Sequence, residues 1–80
     1  MAKLTRRGQR DLEKLPEPIR KKALEIIRRL DQNPAMGKKL LGALAGKRVA
    51  RLGRAHRIIY TAEGGVVTVL TVRPRRDVYR

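Results

Sequence analysis

The chain contains no cysteine and no serine, and neither phenylalanine nor tryptophan. Without cysteine there is no disulfide framework and no thiolate metal site, and the single histidine, His56, cannot build a His/Cys zinc cluster by itself. Without serine there is no Ser–His–Asp triad. Glycine is present, but neither GxxxxGK[ST] nor GxGxxG occurs, so the common phosphate and dinucleotide loops are excluded. No apolar run approaches the roughly 18 residues of a membrane-spanning helix, and the charged start MAKLTRRGQR lacks the apolar core of a signal peptide. The lack of bulky aromatics also argues against a helix lying in a membrane surface. A soluble, cytoplasmic protein without metal or cofactor is the expectation.

Acidic residues are scarce as well. Seven Asp and Glu stand against 21 Lys and Arg, a formal net charge of +14. The imbalance is uneven: residues 1–31 carry ten basic and five acidic side chains, residues 32–80 eleven and two, Glu63 and Asp77. Solubility does not require that much self-repulsion, so the charge points to a large polyanion, with nucleic acid the foremost candidate. The 80 residues form one domain, spanning 1–80. A chain of this size buries only roughly 60% of its unfolded surface, so its core is thin.

The patterning divides the chain in two. Residues 2–5 are at most a short edge strand. Thr5 suits a helix N-cap, and RRGQRDLEKL reads as a first helix ending before Pro16. A second helix starts at the Pro16-Glu17-Pro18 break and stops at Asn33-Pro34. Its residues Ile19, Ala23, Ile26, Ile27 and Leu30 make one apolar stripe, with Arg20, Lys21, Lys22, Arg28 and Arg29 outside it. Residues 34–46 read as a glycine-punctuated loop tacked down by Leu40, Leu41 and Leu44. From Arg48 the period becomes two. RVARL, HRIIYTA and VVTVLTVR are strands, the last two joined by a turn at Glu63-Gly64-Gly65. Strict alternation sets Val66, Thr68, Leu70 and Val72 on one face of the third strand, and Val67, Val69, Thr71 and Arg73 on the other. The expected fold is α+β: a helical hairpin laid over one face of a small curved antiparallel sheet.

The chemistry available to such a chain is that of arginine, lysine, tyrosine and His56. It suits RNA cleavage by attack of a 2′-OH on the adjacent phosphate. Guanidinium groups stabilise the charge that builds on the phosphorane oxygens, and an aromatic face stacks a base. Proton transfer is the weaker part, since ordinary Arg and Lys are poor proton acceptors at neutral pH.

Three segments carry a family resemblance: LEKLPEPIRKKALEII, then GKRVARLGRAHRIIYTAEGGVVTVLTV, then RPRRDVYR. In this order and spacing they resemble the RelE/ParE toxins of toxin–antitoxin systems over nearly the whole chain. The most diagnostic pieces are R-I-I-Y at 57–60, the Gly-Gly hairpin and R-R-D-V-Y at 75–79. The resemblance implies a compact α+β ribonuclease of the RelE branch, a metal-independent mRNA interferase. Such a toxin enters the ribosomal A site, cuts mRNA there, and is held inactive in a hetero-oligomer by a cognate antitoxin. That antitoxin is expected to be acidic or to carry acidic patches.

Carried over by position, the resemblance makes Arg57 the phosphate-stabilising arginine and Tyr79 the residue that stacks on or orients the substrate. Arg75 or Arg76 is the C-terminal arginine, with Arg73 as a substitute, and either Arg48 or Arg51 supplies the basic residue of the preceding strand. Lys47 and Arg54 join Arg51, Arg73 and Arg76 as RNA-binding candidates. A second basic position of some active members falls on Ala50, so no proton-transfer group is implied there. His56 stands where an aromatic residue is common, and Tyr60 reads as core. The alternatives are the ParE branch, which inhibits DNA gyrase by contact, and an RNA- or ribosome-binding module without catalysis.

Overall fold

The computed structural model describes residues 2–42 and 46–75. Strand β1 (Lys3–Leu4) leads into helix α1 (Arg6–Lys14), and a short break leads into helix α2 (Glu17–Gln32). A single 3₁₀ turn, Pro34–Met36, precedes strand β2 (Lys38–Lys39), and then come β3 (Arg48–Leu52), β4 (His56–Glu63) and β5 (Val66–Pro74). The five strands form one sheet in the order β1-β5-β4-β3-β2. The meander is antiparallel as expected, but β1 adds to β5 in parallel, which makes the sheet mixed. Of the segment expected as a loop, residues 34–39 are regular instead, supplying the 3₁₀ turn and β2.

Each helix boundary has a local cause. Thr5 caps α1 by accepting from the Gly8 N–H at 3.0 Å. Leu15 closes it in extended backbone, as a residue before proline prefers. α2 takes proline in its first turn, where the missing N–H leaves no intrahelical bond unmade. Leu12, Ala23, Ile27 and Leu30 pack from the helices against Ala50, Leu52, Ile58, Tyr60, Val67, Val69 and Val72. This is the main core. A smaller one on the sheet's other face joins Val49 and Ile59, with Leu40 and Leu70 packed against them. Leu40 thus tacks its part of the 34–46 segment to the sheet as expected, whereas Leu41 is 87% exposed and Leu44 lies outside the described residues.

One departure from strict alternation changes which side chains share a face. Tyr60 pairs with Val69 but Ile59 with Thr71, so Leu70 is an extra residue, a β-bulge in β5. Before the bulge Val67 and Val69 face the helices; after it Val72 does, and Thr71 and Arg73 turn to the opposite face. The expected grouping of Val67, Val69, Thr71 and Arg73 on one face therefore fails at the bulge.

Candidate functional site

The register of the three long strands aligns arginines. Arg51 of β3 is directly opposite Arg57 of β4, and Arg57 is opposite Arg73 of β5. The three make one row across the sheet, on the face turned away from the helices. Directly opposed like charges repel, and nothing in sheet formation asks for three of them side by side. The next row, Val49, Ile59 and Thr71, is a largely apolar floor beside it.

Burial sharpens the picture. Arg51 is exposed and Arg73 half-buried, but Arg57 is only 5% exposed. Arg57 spends one hydrogen bond on the carbonyl of its neighbour His56, at 2.9 Å. The Nε–H of Arg73 is buried without a hydrogen-bond partner among the described residues. Among the described residues, the ion pairs Arg7–Asp11, Glu17–Lys21 and Glu25–Arg29 all belong to the helices, and none reaches the row. A buried guanidinium lacking a carboxylate is unfavourable unless something anionic completes it. A groove of about 510 Å³ opens beside the row, along the outer edge of β3 where β2 has ended. Its lining includes Arg51, Arg57, Arg29 and Lys38, with apolar side chains such as Ile26, Met36 and Val49 between them.

The other candidates divide. Arg48 pairs across from Tyr60, on the helix-facing side. Its guanidinium donates to the carbonyl of Gly37 at 2.8 Å and to that of Ala35 at 3.4 Å. Arg48 therefore latches the 35–37 segment and is separated from the arginine row, and of the two candidates on this strand Arg51 faces Arg57. Beside Arg48, the buried Tyr60 hydroxyl accepts from the Gly37 N–H at 2.8 Å and donates to the Pro34 carbonyl at 2.9 Å. Burial raises the Tyr60 pKa above its ordinary value.

Arg54 sits in the exposed β3–β4 turn, and Arg75 is exposed at the end of β5, its N–H donating to the Ala55 carbonyl at 2.7 Å. Lys47 is half-buried just ahead of β3, and its carbonyl accepts from the Leu40 N–H. His56 is half-exposed opposite Leu52, and Ala50 is buried in the main core. Arg76 and Tyr79 lie outside the described residues. Among the described residues no three His, Asp or Glu side chains converge as metal ligands, and no helix is long and apolar enough to cross a membrane.

The chain matches, over residues 2–79, the family described as the ParE toxin of the type II toxin–antitoxin system parDE. It is a RelE/ParE-family toxin. Its fold is that of the solved toxin–antitoxin complex RelBE2 from Mycobacterium tuberculosis, with a TM-score of 0.84 and 33% identity over 94% of this chain and 96% of that one. A YoeB/ParE toxin from Agrobacterium tumefaciens follows, with a TM-score of 0.81 and 24% identity over 94% and 99% of the two chains. The intact RelBE complex of E. coli gives 0.76 at 18% identity over 91% and 93%. The last two establish shared architecture only. A comparison with curated proteins finds no match.

Proposed function

We propose that this toxin is a ribosome-dependent mRNA endoribonuclease whose phosphate site is the row Arg51, Arg57 and Arg73. The observation that carries the reading is the pair Arg57 and Arg73, opposed across two strands, the first buried and the second with a buried unpartnered Nε–H. Two forked donors at one strand spacing suit the non-bridging oxygens of a phosphodiester. In the reaction the 2′-oxygen bonds to phosphorus and the P–O5′ bond breaks, leaving a 2′,3′-cyclic phosphate and a 5′-hydroxyl. Negative charge grows on the equatorial oxygens as the phosphorane forms, and preformed cations stabilise it without reorganising. Arg57 and Arg73 take that role, and Arg51, at the exposed end, guides the strand. Tyr79 stacks a base, while Arg54, Arg75, Arg76 and Lys47 bind flanking phosphates. Arg48 supports the site through the 35–37 segment without touching RNA.

The partner is a cognate antitoxin, acidic or acidic in patches, forming a hetero-oligomer with the toxin. The similar RelBE2 structure from Mycobacterium tuberculosis, a toxin–antitoxin complex, supports this.

A second reading has one observation behind it, the match to the ParE toxin family over residues 2–79: contact inhibition of DNA gyrase with no cleavage. Primer extension on a defined mRNA, with and without programmed ribosomes, separates the two. Cuts within A-site codons, lost in Arg57→Ala, are the expected result. Intact mRNA together with blocked gyrase supercoiling would overturn the nuclease reading.

A further inference from the structure

The arginine row exists only because of the bulge at Leu70. Were β5 regular, Arg73 would share a face with Val67 and Val69 and point into the helix-packed core; the extra residue turns it over to meet Arg57. A bulge leaves backbone groups unmatched, and here they lie on the side of β5 where β1 has already ended at Leu4.

Helix α1 and its cap supply the missing partners. The carbonyl of Val69 accepts from the Thr5 N–H at 3.0 Å and also from the Thr5 hydroxyl at 3.2 Å. That hydroxyl is closer still to the Leu70 carbonyl, at 2.8 Å. Past the bulge, one carboxylate oxygen of Asp11 accepts from the Thr71 hydroxyl at 2.5 Å and from the Val72 N–H at 3.1 Å. Gly8 permits the close approach, since a Cβ there would sit 2.6 Å from the Val69 carbonyl oxygen. Thr5 therefore grips the chain before and at the bulge, and Asp11 grips it immediately before Arg73.

We infer that α1 is a brace for the phosphate site, and that Asp11 is a positioning residue that holds Arg73 in the arginine row; the inference rests on the reading of that row as the phosphate site. Asp11 does not touch RNA. It acts through Thr71 and Val72, whose backbone decides the face on which Arg73 emerges. A carboxylate accepting two hydrogen bonds is a stronger clamp than a neutral acceptor, and it occupies a donor that strand pairing leaves open.

The test is a double-mutant cycle on the full-length toxin, read as affinity for a short single-stranded RNA. Arg73→Ala is expected to weaken binding about tenfold, and Asp11→Ala by a similar factor although it removes an acid from a cationic protein. Combining them should weaken binding no further than either alone. Asp11→Asn keeps an acceptor for the Val72 N–H and should restore affinity to within about threefold of wild type. A spectroscopic arm keeps the test independent of global stability. The Arg73 Nε–H resonance of wild type and of Asp11→Asn should shift on adding RNA, and that of Asp11→Ala should not. If Asp11→Ala lowers the melting temperature but leaves affinity and the Arg73 shift intact, or if the two losses multiply in full, Asp11 is merely structural and the inference fails. If Arg57→Ala and Arg73→Ala are themselves silent in RNA binding, the phosphate reading has failed first and the positioning role falls with it.

Discussion

At the residue scale, the molecule holds polar groups whose stability and function pull in different directions. Among the described residues, Arg73 has an unpartnered buried Nε–H, and the buried Arg57 guanidinium donates to the His56 carbonyl. An unsatisfied buried donor is worth about 1–3 kcal/mol of lost stability. Arg73→Met, similar in length but apolar, is therefore expected to raise unfolding stability by about 1 kcal/mol in urea titration. The same variant should lower ribosome-dependent cleavage by at least about 100-fold in primer extension. Loss of both stability and cleavage would mean that Arg73 serves packing rather than phosphate. Tyr60 is the opposite case, a buried hydroxyl with both partners in place. Tyr60→Phe strands the Gly37 N–H and the Pro34 carbonyl and should destabilise by about 1–3 kcal/mol. Its raised pKa has a definite sign. The unfolded tyrosine ionises near pH 10 while the folded one stays neutral, so the stabilisation is complete below about pH 10 and is lost as pH rises through the folded value. Unfolding monitored by tyrosinate absorbance should show this alkaline loss in wild type and not in Tyr60→Phe.

At the element scale, glycine is required where backbone meets backbone or ring. A Cβ on Gly37 would lie 2.3 Å from the Tyr60 hydroxyl and 2.8 Å from the Val49 carbonyl oxygen, both held in place. Gly37→Ala should destabilise by about 1–3 kcal/mol through displacement of the 35–37 segment, with a visible loss of protection at its own amide in hydrogen exchange. Gly8→Ala should separate α1 from the bulge by the same mechanism. Normal stability in both variants would show that these contacts yield more easily than their geometry suggests. The elements themselves were largely legible. The stripe Ile19, Ala23, Ile26, Ile27, Leu30 declared α2, and Thr5 its neighbour's cap, because helix period and capping are local properties. The 3₁₀ turn and β2 were not legible. Two lysines become a strand only because β3 offers them an edge, with Lys38 opposite Val49 and Lys39 opposite Arg48.

For the whole molecule, charge is the dominant fact. A net +14 on 80 residues makes every association with RNA steeply salt-dependent. Each phosphate contact to single-stranded RNA contributes about −0.7 to the slope of log affinity against log salt. Wild type should show a slope of at least about −2 from the arginine row alone, and Arg57→Ala should flatten it by about 0.7. An unchanged slope would remove Arg57 from the contact set. The exposed i,i+4 pairs Glu17–Lys21 and Glu25–Arg29 offset little of the self-repulsion, at about 0.3–0.5 kcal/mol each. An acidic partner bound at a hundred times its dissociation constant adds about 2.7 kcal/mol by mass action. The melting temperature of the toxin should accordingly rise on complex formation, and by less as salt is raised.

The α+β order, the Thr5 cap, the Gly-Gly hairpin, the basic character and the family could all be read along the chain, because each rests on composition, period or motif. The sequence also brought Arg57 forward. It left Arg48 and Arg51 level, and on strict alternation it set Arg73 on the same face as Val67 and Val69. The tertiary structure decided those points. Cross-strand register sets Arg51 against Arg57 and sends Arg48 to the Gly37 carbonyl, and one extra residue at Leu70 brings Arg73 into the row. The physical reason is that a strand's faces alternate with a period of two, so a single bulge inverts everything after it. Here the bulge is held by Thr5 and Asp11, whose hydrogen bonds to it span 65 and 60 residues of chain, a distance across which no local pattern carries information.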